Sequence, residues 1–162
     1  MESTSLYEIV KRCDVICEVG VQRGFNFKNL IKHNPKLAVA VDCWTPDNII
    51  QENQKIFTQE EINDWYEIFK KEMEDKPFVK IYRGFSHDVV KEFPDEFFDF
   101  VYIDANHSYE TVSEDIKDWY PKVKKGGILC GHDYTKRKIM TKDGWIWFGV
   151  IQAVNEFVED NN

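Results

Sequence analysis

Five short apolar runs, separated by segments of helical periodicity, constrain this chain more than any other feature of its sequence. The runs are Asp14–Val19 (DVICEV), Leu37–Val41 (LAVAV), Phe78–Tyr82 (FVKIY), Phe98–Ile103 and Gly127–Cys130. Each is too short for a stable helix and reads as a strand. Between them, apolar residues recur at steps of three and four. Leu6, Ile9 and Val10 predict a helix over 5–12. Phe27, Leu30 and Ile31 predict another, which stops near Asn34–Pro35 because proline and the residue before it disfavour helix. After a loop with Pro46, Thr58 and Glu61 have capping-box spacing ahead of Ile62, Trp65, Phe69 and Met73 on one face. Tyr109, Val112, Ile116 and Trp119 mark a further helix; after Gly144, Trp147, Ile151, Val154 and Val158 mark the last. Strands alternating with helices predict an α/β, doubly wound, mostly parallel sheet covered on both faces. No repeat, low-complexity tract or linker interrupts the pattern, so residues 1–162 are expected to form one domain.

Composition narrows the function classes. The net charge is −8, and basic residues gather only in short pieces such as Lys136-Arg137-Lys138. Phosphate-backbone binding draws on clustered cations, so no nucleic-acid partner is expected and a small molecule is. No apolar run approaches the ~20 residues a membrane-spanning helix needs, so no membrane partner is expected either. The N-terminus, MESTSLYEIVKRC, lacks the basic-then-apolar layout of a signal peptide, which makes the cytoplasm the expected location. Cys13, Cys17, Cys43 and Cys130 form no CxxC pair, so neither a disulfide framework nor a zinc site is expected.

In parallel sheets, ligands collect beyond the carboxyl ends of the strands, so what each run delivers at its end matters most. The first ends in Glu18-Val-Gly20-Val-Gln-Arg-Gly24, a glycine turn opening a helix. A dinucleotide site wants a middle glycine where this chain has Gln22, and an acid at position 18 sits poorly beside phosphates. Glu18 suits a ligand with a cationic amino group, whose own carboxylate would meet the free N–H groups at the helix start. Asp42, at the end of the second run, suits the hydroxyls of a ribose. Arg83-Gly-Phe-Ser86 after the third run either sets Phe85 or Ser86 against a base or simply turns the chain. The fourth run leads into Asp104-Ala-Asn-His107 and the fifth into Gly131-His132-Asp133. Histidine titrates near neutrality, which makes His107 the candidate base for a hydroxyl acceptor. His33 reads as a surface or capping residue, and His87 as a loop residue.

Glu18, the Gly20/Gly24 loop and Asp42 together resemble the class I S-adenosylmethionine-dependent methyltransferases. The segment DFVYIDANHSYETVSEDIKDWYPKVKKGGILCGHDY (99–134) resembles a group with an IDxxHxY … GGxxxGHDY pattern, related to metal-dependent sugar and catechol O-methyltransferases. FGVIQAVNEFV (148–158) resembles that group's following helix. The resemblance implies a Rossmann-like fold and O-methylation of a small hydroxylated acceptor such as a sugar. It implies that Glu18, Gly20 and Gly24 hold the methionine part of S-adenosylmethionine and Asp42 its ribose; Phe85 and Ser86, by their place after the third run, are the candidates to line its base. It also implies a divalent metal on Asp104, His132 and Asp133. His132 stands where those relatives usually have Asp, which shifts the expected ion from magnesium towards manganese. Asp104 and His107 are then the catalytic pair.

The usual class I fold adds two more strands after the last helix, whereas this chain stops at Asn162. That leaves three readings: a shortened member, a fragment, or a protein whose open sheet edge is covered by a partner or a second copy. The polar TKRKIMTKDG stretch is expected to be a mobile loop at the mouth of the site. Trp147 and Phe148 are expected in the core, and Trp145 at the acceptor pocket or a subunit contact. Two other functions fit the same pattern: a non-catalytic cofactor-binding domain of a larger assembly, and an NAD(P)-linked oxidoreductase.

Overall fold

A computed structural model describes residues 6–46 and 56–161. The first five residues, part of the segment read as lacking a signal peptide, lie outside the described residues. Five parallel strands form one sheet in the order β3-β2-β1-β4-β5: β1 (Val15–Val19), β2 (Leu37–Asp42), β3 (Val79–Arg83), β4 (Phe98–Ile103) and β5 (Val123–Gly131). All five expected strands are present. β5 begins earlier than its apolar run, because Val123 pairs with Phe98 before a register shift brings Ile128 opposite Phe100. That irregularity lets polar Lys124 and Lys125 join a strand that reads as apolar only from Gly127 onward.

The sheet is covered on both faces, as alternation of side chains along each strand requires. Ile16, Ala38, Ala40, Phe100 and Tyr102 face one core with Val10, Phe27, Leu30, Phe69 and Met73. These last come from α1 (Leu6–Val10), α2 (Phe25–Leu30) and α3 (Gln59–Glu72), with Met73 closing α3. Cys17, Val19, Val39, Val41, Val101 and Ile103 face the other core. There they meet Val89 from α4 (Ser86–Val89), Val112, Ile116 and Trp119 from α5 (Tyr109–Trp119), and Val150 and Ala153 from α6 (Val150–Asp160). The capping box at α3 forms as its spacing predicts: the Thr58 side chain accepts from Glu61 N–H, and the Glu61 side chain accepts from Thr58 N–H.

Two expectations fail around residues 135–158. TKRKIMTKDG is not a loop: Lys138–Thr141 (β6) and Gly144–Trp147 (β7) form an antiparallel hairpin apart from the main sheet. Its Ile-Met and Trp-Ile-Trp residues have strand propensity, which outweighs the polar residues around them. The last helix begins only after Gly149; it buries Val150 and Ala153 and packs Val154 and Phe157 against the core, so Val154 alone of the expected Trp147, Ile151, Val154, Val158 stripe meets that core. Trp147 is accordingly 69% exposed and not in the core. Among the described residues no helix is long and apolar enough to cross a membrane, and all four cysteines are free thiols.

Candidate active site

The carboxyl ends of the strands are stitched side by side by backbone bonds that run one residue past the sheet. Gly20 N–H donates to Val41 O (2.8 Å), Asp104 N–H to Val19 O (2.8 Å), Gly84 N–H to Asp42 O (2.9 Å) and His132 N–H to Ile103 O (3.0 Å). The turns that carry the candidate residues therefore form one continuous rim.

On β1, Glu18 is 1% exposed. Its Oε1 accepts from Asn26 Nδ2 of α2 at 3.0 Å, while Oε2 is buried with no partner. Burial pushes its pKa up to about 8; the Asn26 hydrogen bond opposes this, and the charges of Asp104 and Asp42 add to it. The folded state thus retains a proton that the unfolded chain releases, and this group's contribution to stability falls as pH rises from the ordinary carboxyl range to about 8. Glu18→Gln is therefore expected to stabilise the ligand-free protein at pH 8 by on the order of a few kcal/mol, with a smaller gain at pH 5. Thermal melts of both proteins at the two pH values check this; an equal shift at both would reject the protonation argument.

Asp42 braces the glycine loop. Its Oδ2 accepts from Gln22 N–H and its Oδ1 from Trp44 N–H, both at 2.7 Å. Burial raises its pKa, against the pull of these backbone donors and of Arg83. Gln22, at φ +50°, is held from its other side by Trp44 Nε1, which donates to Gln22 O at 2.8 Å. A carboxylate has further lone pairs, so Asp42 keeps capacity to accept from a ligand. Gly24 allows α2 to start against α3, since a Cβ there would overlap the Phe69 ring.

After β3, Phe85 is 54% exposed and stacks on His87 at 5.8 Å. Ser86 faces inward: its Oγ accepts from Trp119 Nε1 at 2.7 Å and bonds buried Asp115. Desolvation raises the Asp115 pKa to about 6, with the Ser86 bond opposing. The Ser86 hydroxyl is thus already committed to α5. His33 bridges two backbone carbonyls, Leu30 O and Cys13 O, each at 2.9 Å, which makes it structural as expected.

The ends of β4 and β5 converge. Ligand atoms of Asp104, His107 and Asp133 lie within 4.8 Å of one another. His107 Nε2 is 2.9 Å from Asp133 Oδ2 and 3.5 Å from Asp104 Oδ1, yet off the hydrogen-bonding direction, so it is buried without a partner. His132 stands at the exposed edge of this group. Its side chain is 58% exposed, with Nδ1 3.3 Å from Asp133 Oδ2 and 3.9 Å from Asp104 Oδ1. Asp104, His132 and Asp133 thus stand close together, and the fold adds His107, whose Nε2 is nearer Asp133 and more deeply buried. Ser108 caps α5 by accepting from Thr111 N–H, which fixes the turn that carries His107. Phe148, expected in the core, instead stacks on the His107 ring at 4.5 Å and 13°. Neither Phe148 nor Asn26 is legible as a site residue from spacing, since each meets its partner only through the folded topology.

A family profile described as a methyltransferase domain matches residues 17–134, which run from within β1 to beyond the end of β5 and hold Glu18, Asp42, Asp104, His107 and Asp133. The chain belongs to the class I methyltransferases. The match to residues 17–134 includes both the Glu18–Gly24 loop and the Asp104–Asp133 convergence, so the family assignment rests on the parts that build the site. Among solved structures, the O-methyltransferase NovP aligns at 16% identity and TM-score 0.61 over 95% of this chain and 71% of its own. An O-methyltransferase from Bacillus cereus, solved in complex with SAH, aligns at 16% identity and TM-score 0.59 over 93% of this chain and 62% of its own. An SAH-bound methyltransferase from Podospora anserina aligns at 16% identity and TM-score 0.55 over 80% of this chain and 53% of its own. At these identities the likeness shows the class I fold, and the chain spans about half the length of the Podospora methyltransferase. No curated protein matches the chain with significance.

Proposed function

We propose that this class I methyltransferase is an S-adenosylmethionine-dependent O-methyltransferase acting on a small hydroxylated acceptor such as a sugar. The observation that carries the reading is the adjacency of two unpartnered buried atoms' settings: Glu18 beside the glycine loop of β1, and His107 Nε2 beside Asp104 and Asp133 at the ends of neighbouring β4 and β5. The bound SAH in two structures of the same fold supports the choice of cofactor. S-adenosylmethionine supplies an activated methyl on a sulfonium, and the protein's task is alignment and proton removal. Glu18 Oε2 receives the cofactor's ammonium, which relieves the cost of its burial. Asp42 accepts from the ribose.

His107 Nε2 takes the acceptor hydroxyl proton, and Asp133 stabilises the imidazolium that forms. The donor set of Asp104, His107 and Asp133 also fits a divalent ion, since it offers two carboxylates and an otherwise orphaned imidazole nitrogen. A mixed oxygen and nitrogen set favours manganese over magnesium. Such an ion would lower the pKa of the hydroxyl it touches.

Thermal shift with cofactors tests the reading directly. S-adenosylmethionine and SAH are expected to raise Tm, with Glu18→Gln reducing the effect, and NAD is expected to leave it unchanged. Stabilisation by NAD alone would sink the proposal in favour of an oxidoreductase. Cofactor binding without methyl transfer to any hydroxylated acceptor would favour a non-catalytic domain.

A further inference from the structure

We infer that the outward face of the β6–β7 hairpin is a docking surface for an anionic lipid bilayer. The inference goes beyond the methyltransferase reading and does not depend on it. In the hairpin register Lys138 pairs with Trp147 and Met140 with Trp145, so these four side chains share one face. The opposite face carries Arg137 and Phe148 to the site: Arg137 Nη1 is 3.9 Å from Asp133 Oδ1, and the Phe148 ring stacks on His107. The ribbon is thus anchored by one face and presents its indoles on the other. Trp145 is 58% exposed and Trp147 69%. Lys138 Nζ stands 4.7 Å from the Trp145 ring centroid and 6.0 Å from that of Trp147. Indoles beside an ammonium suit a lipid headgroup layer, where the rings settle at the polar–acyl boundary and the cation meets phosphate.

Charge and size select this occupant. Four cations, Lys136, Arg137, Lys138 and Lys142, and one acid, Asp143, give residues 136–147 a charge of +3, which leaves −11 on the rest of a chain of net charge −8. The partner is therefore anionic, and it meets the hairpin rather than the acidic body. Each strand of the hairpin has four residues, so the face is about 14 Å long and about 10 Å wide. A stable protein interface takes ~800 Å² from each partner, and a single-stranded nucleic acid needs a cationic track of roughly 4–16 nucleotides. Both exceed this ribbon. A bilayer surface sets no such footprint, and each cation near it tightens binding by about fivefold. Salt confines each charge to a reach of ~8 Å, so acids on the far side of the body do not oppose contact made by the ribbon. Docking of this kind needs no spanning helix, and among the described residues no helix is long and apolar enough to be one.

Sedimentation of the whole chain with lipid vesicles tests this. Vesicles of phosphatidylcholine alone are compared with vesicles holding an equal part of phosphatidylglycerol. The mixed vesicles are expected to bind at least ~tenfold more tightly at low salt, and high salt should remove the difference. Lys138→Gln with Lys142→Gln should weaken binding to the mixed vesicles by ~tenfold or more. W145A/W147A should weaken it as well, and should abolish the blue shift that the mixed vesicles cause in the parent's tryptophan emission. These side chains are exposed, so both variants should melt and bind S-adenosylmethionine like the parent. Equal binding to the two vesicle types, no binding to the mixed vesicles, or binding that survives both double substitutions overturns the inference. So does tighter capture by a single-stranded oligonucleotide, or self-association that W145A/W147A removes, since either names a different occupant. Failure of the parent to bind S-adenosylmethionine would reject the methyltransferase reading and leave the vesicle result standing.

Discussion

Gly20→Ala is expected to be the most damaging single-methyl substitution at the site. Gly20 has φ +93°, a conformation that costs an alanine about 1–2 kcal/mol. A Cβ there would also overlap the Asp104 carbonyl and stand 2.7 Å from Ala105 Cα. The neighbours are backbone, held by the Asp104 N–H to Val19 O bond, and backbone cannot rotate away as a side chain can. The combined cost is expected to reach ~3 kcal/mol or more, which lowers Tm by about 10 °C for a chain of this size. Gly126 supplies the control: its φ is +79°, but nothing lies within 4 Å of a Cβ there. Gly126→Ala should therefore cost only about 1–2 kcal/mol. If the two variants melt alike, close approach of the β1 and β4 turns is not what Gly20 provides.

This contact changes the meaning of the glycine loop. From sequence, Gly20 reads as a ligand-cradling glycine; in the fold, its lack of a side chain lets the Glu18 turn and the Asp104 turn touch. The loop therefore couples the proposed cofactor end of the site to its catalytic end.

The strands were legible because each run is apolar, too short for a stable helix and set between segments of helical period. Glu18, Asp42 and Asp104 were legible because an acid at the end of an apolar run is conspicuous. His107 was legible as a base but not as a neighbour of Asp133, because the turns after β4 and β5 meet only through the pairing of those strands. The hairpin was missed for a related reason. Its Lys, Thr and Asp residues suggest a loop, while the cross-strand pairing of Met140 with Trp145 becomes visible only when the chain turns at Lys142–Asp143.

Asp104→Ala and His107→Ala are each expected to reduce methyl transfer by ~10³-fold or more while leaving S-adenosylmethionine affinity within a few-fold of the parent. Neither residue packs the core, and Glu18 and Asp42, which are proposed to hold the cofactor, lie on β1 and β2. The same variants separate the two roles open to His107. If the imidazole only takes the proton, His107→Ala leaves manganese binding, followed by electron paramagnetic resonance, as it is in the parent, whereas Asp104→Ala reduces it. If the imidazole is a metal ligand, both substitutions reduce manganese binding, and chelation abolishes activity in the unaltered protein. The stacking of Phe148 adds a graded test, because Phe148→Ala removes the ring that orients His107 without removing any donor. Its effect should fall on kcat, by roughly tenfold, with little change in cofactor affinity. Methyl transfer unaffected by Asp104→Ala and His107→Ala alike would mean that the chemistry does not run through the convergence of β4 and β5.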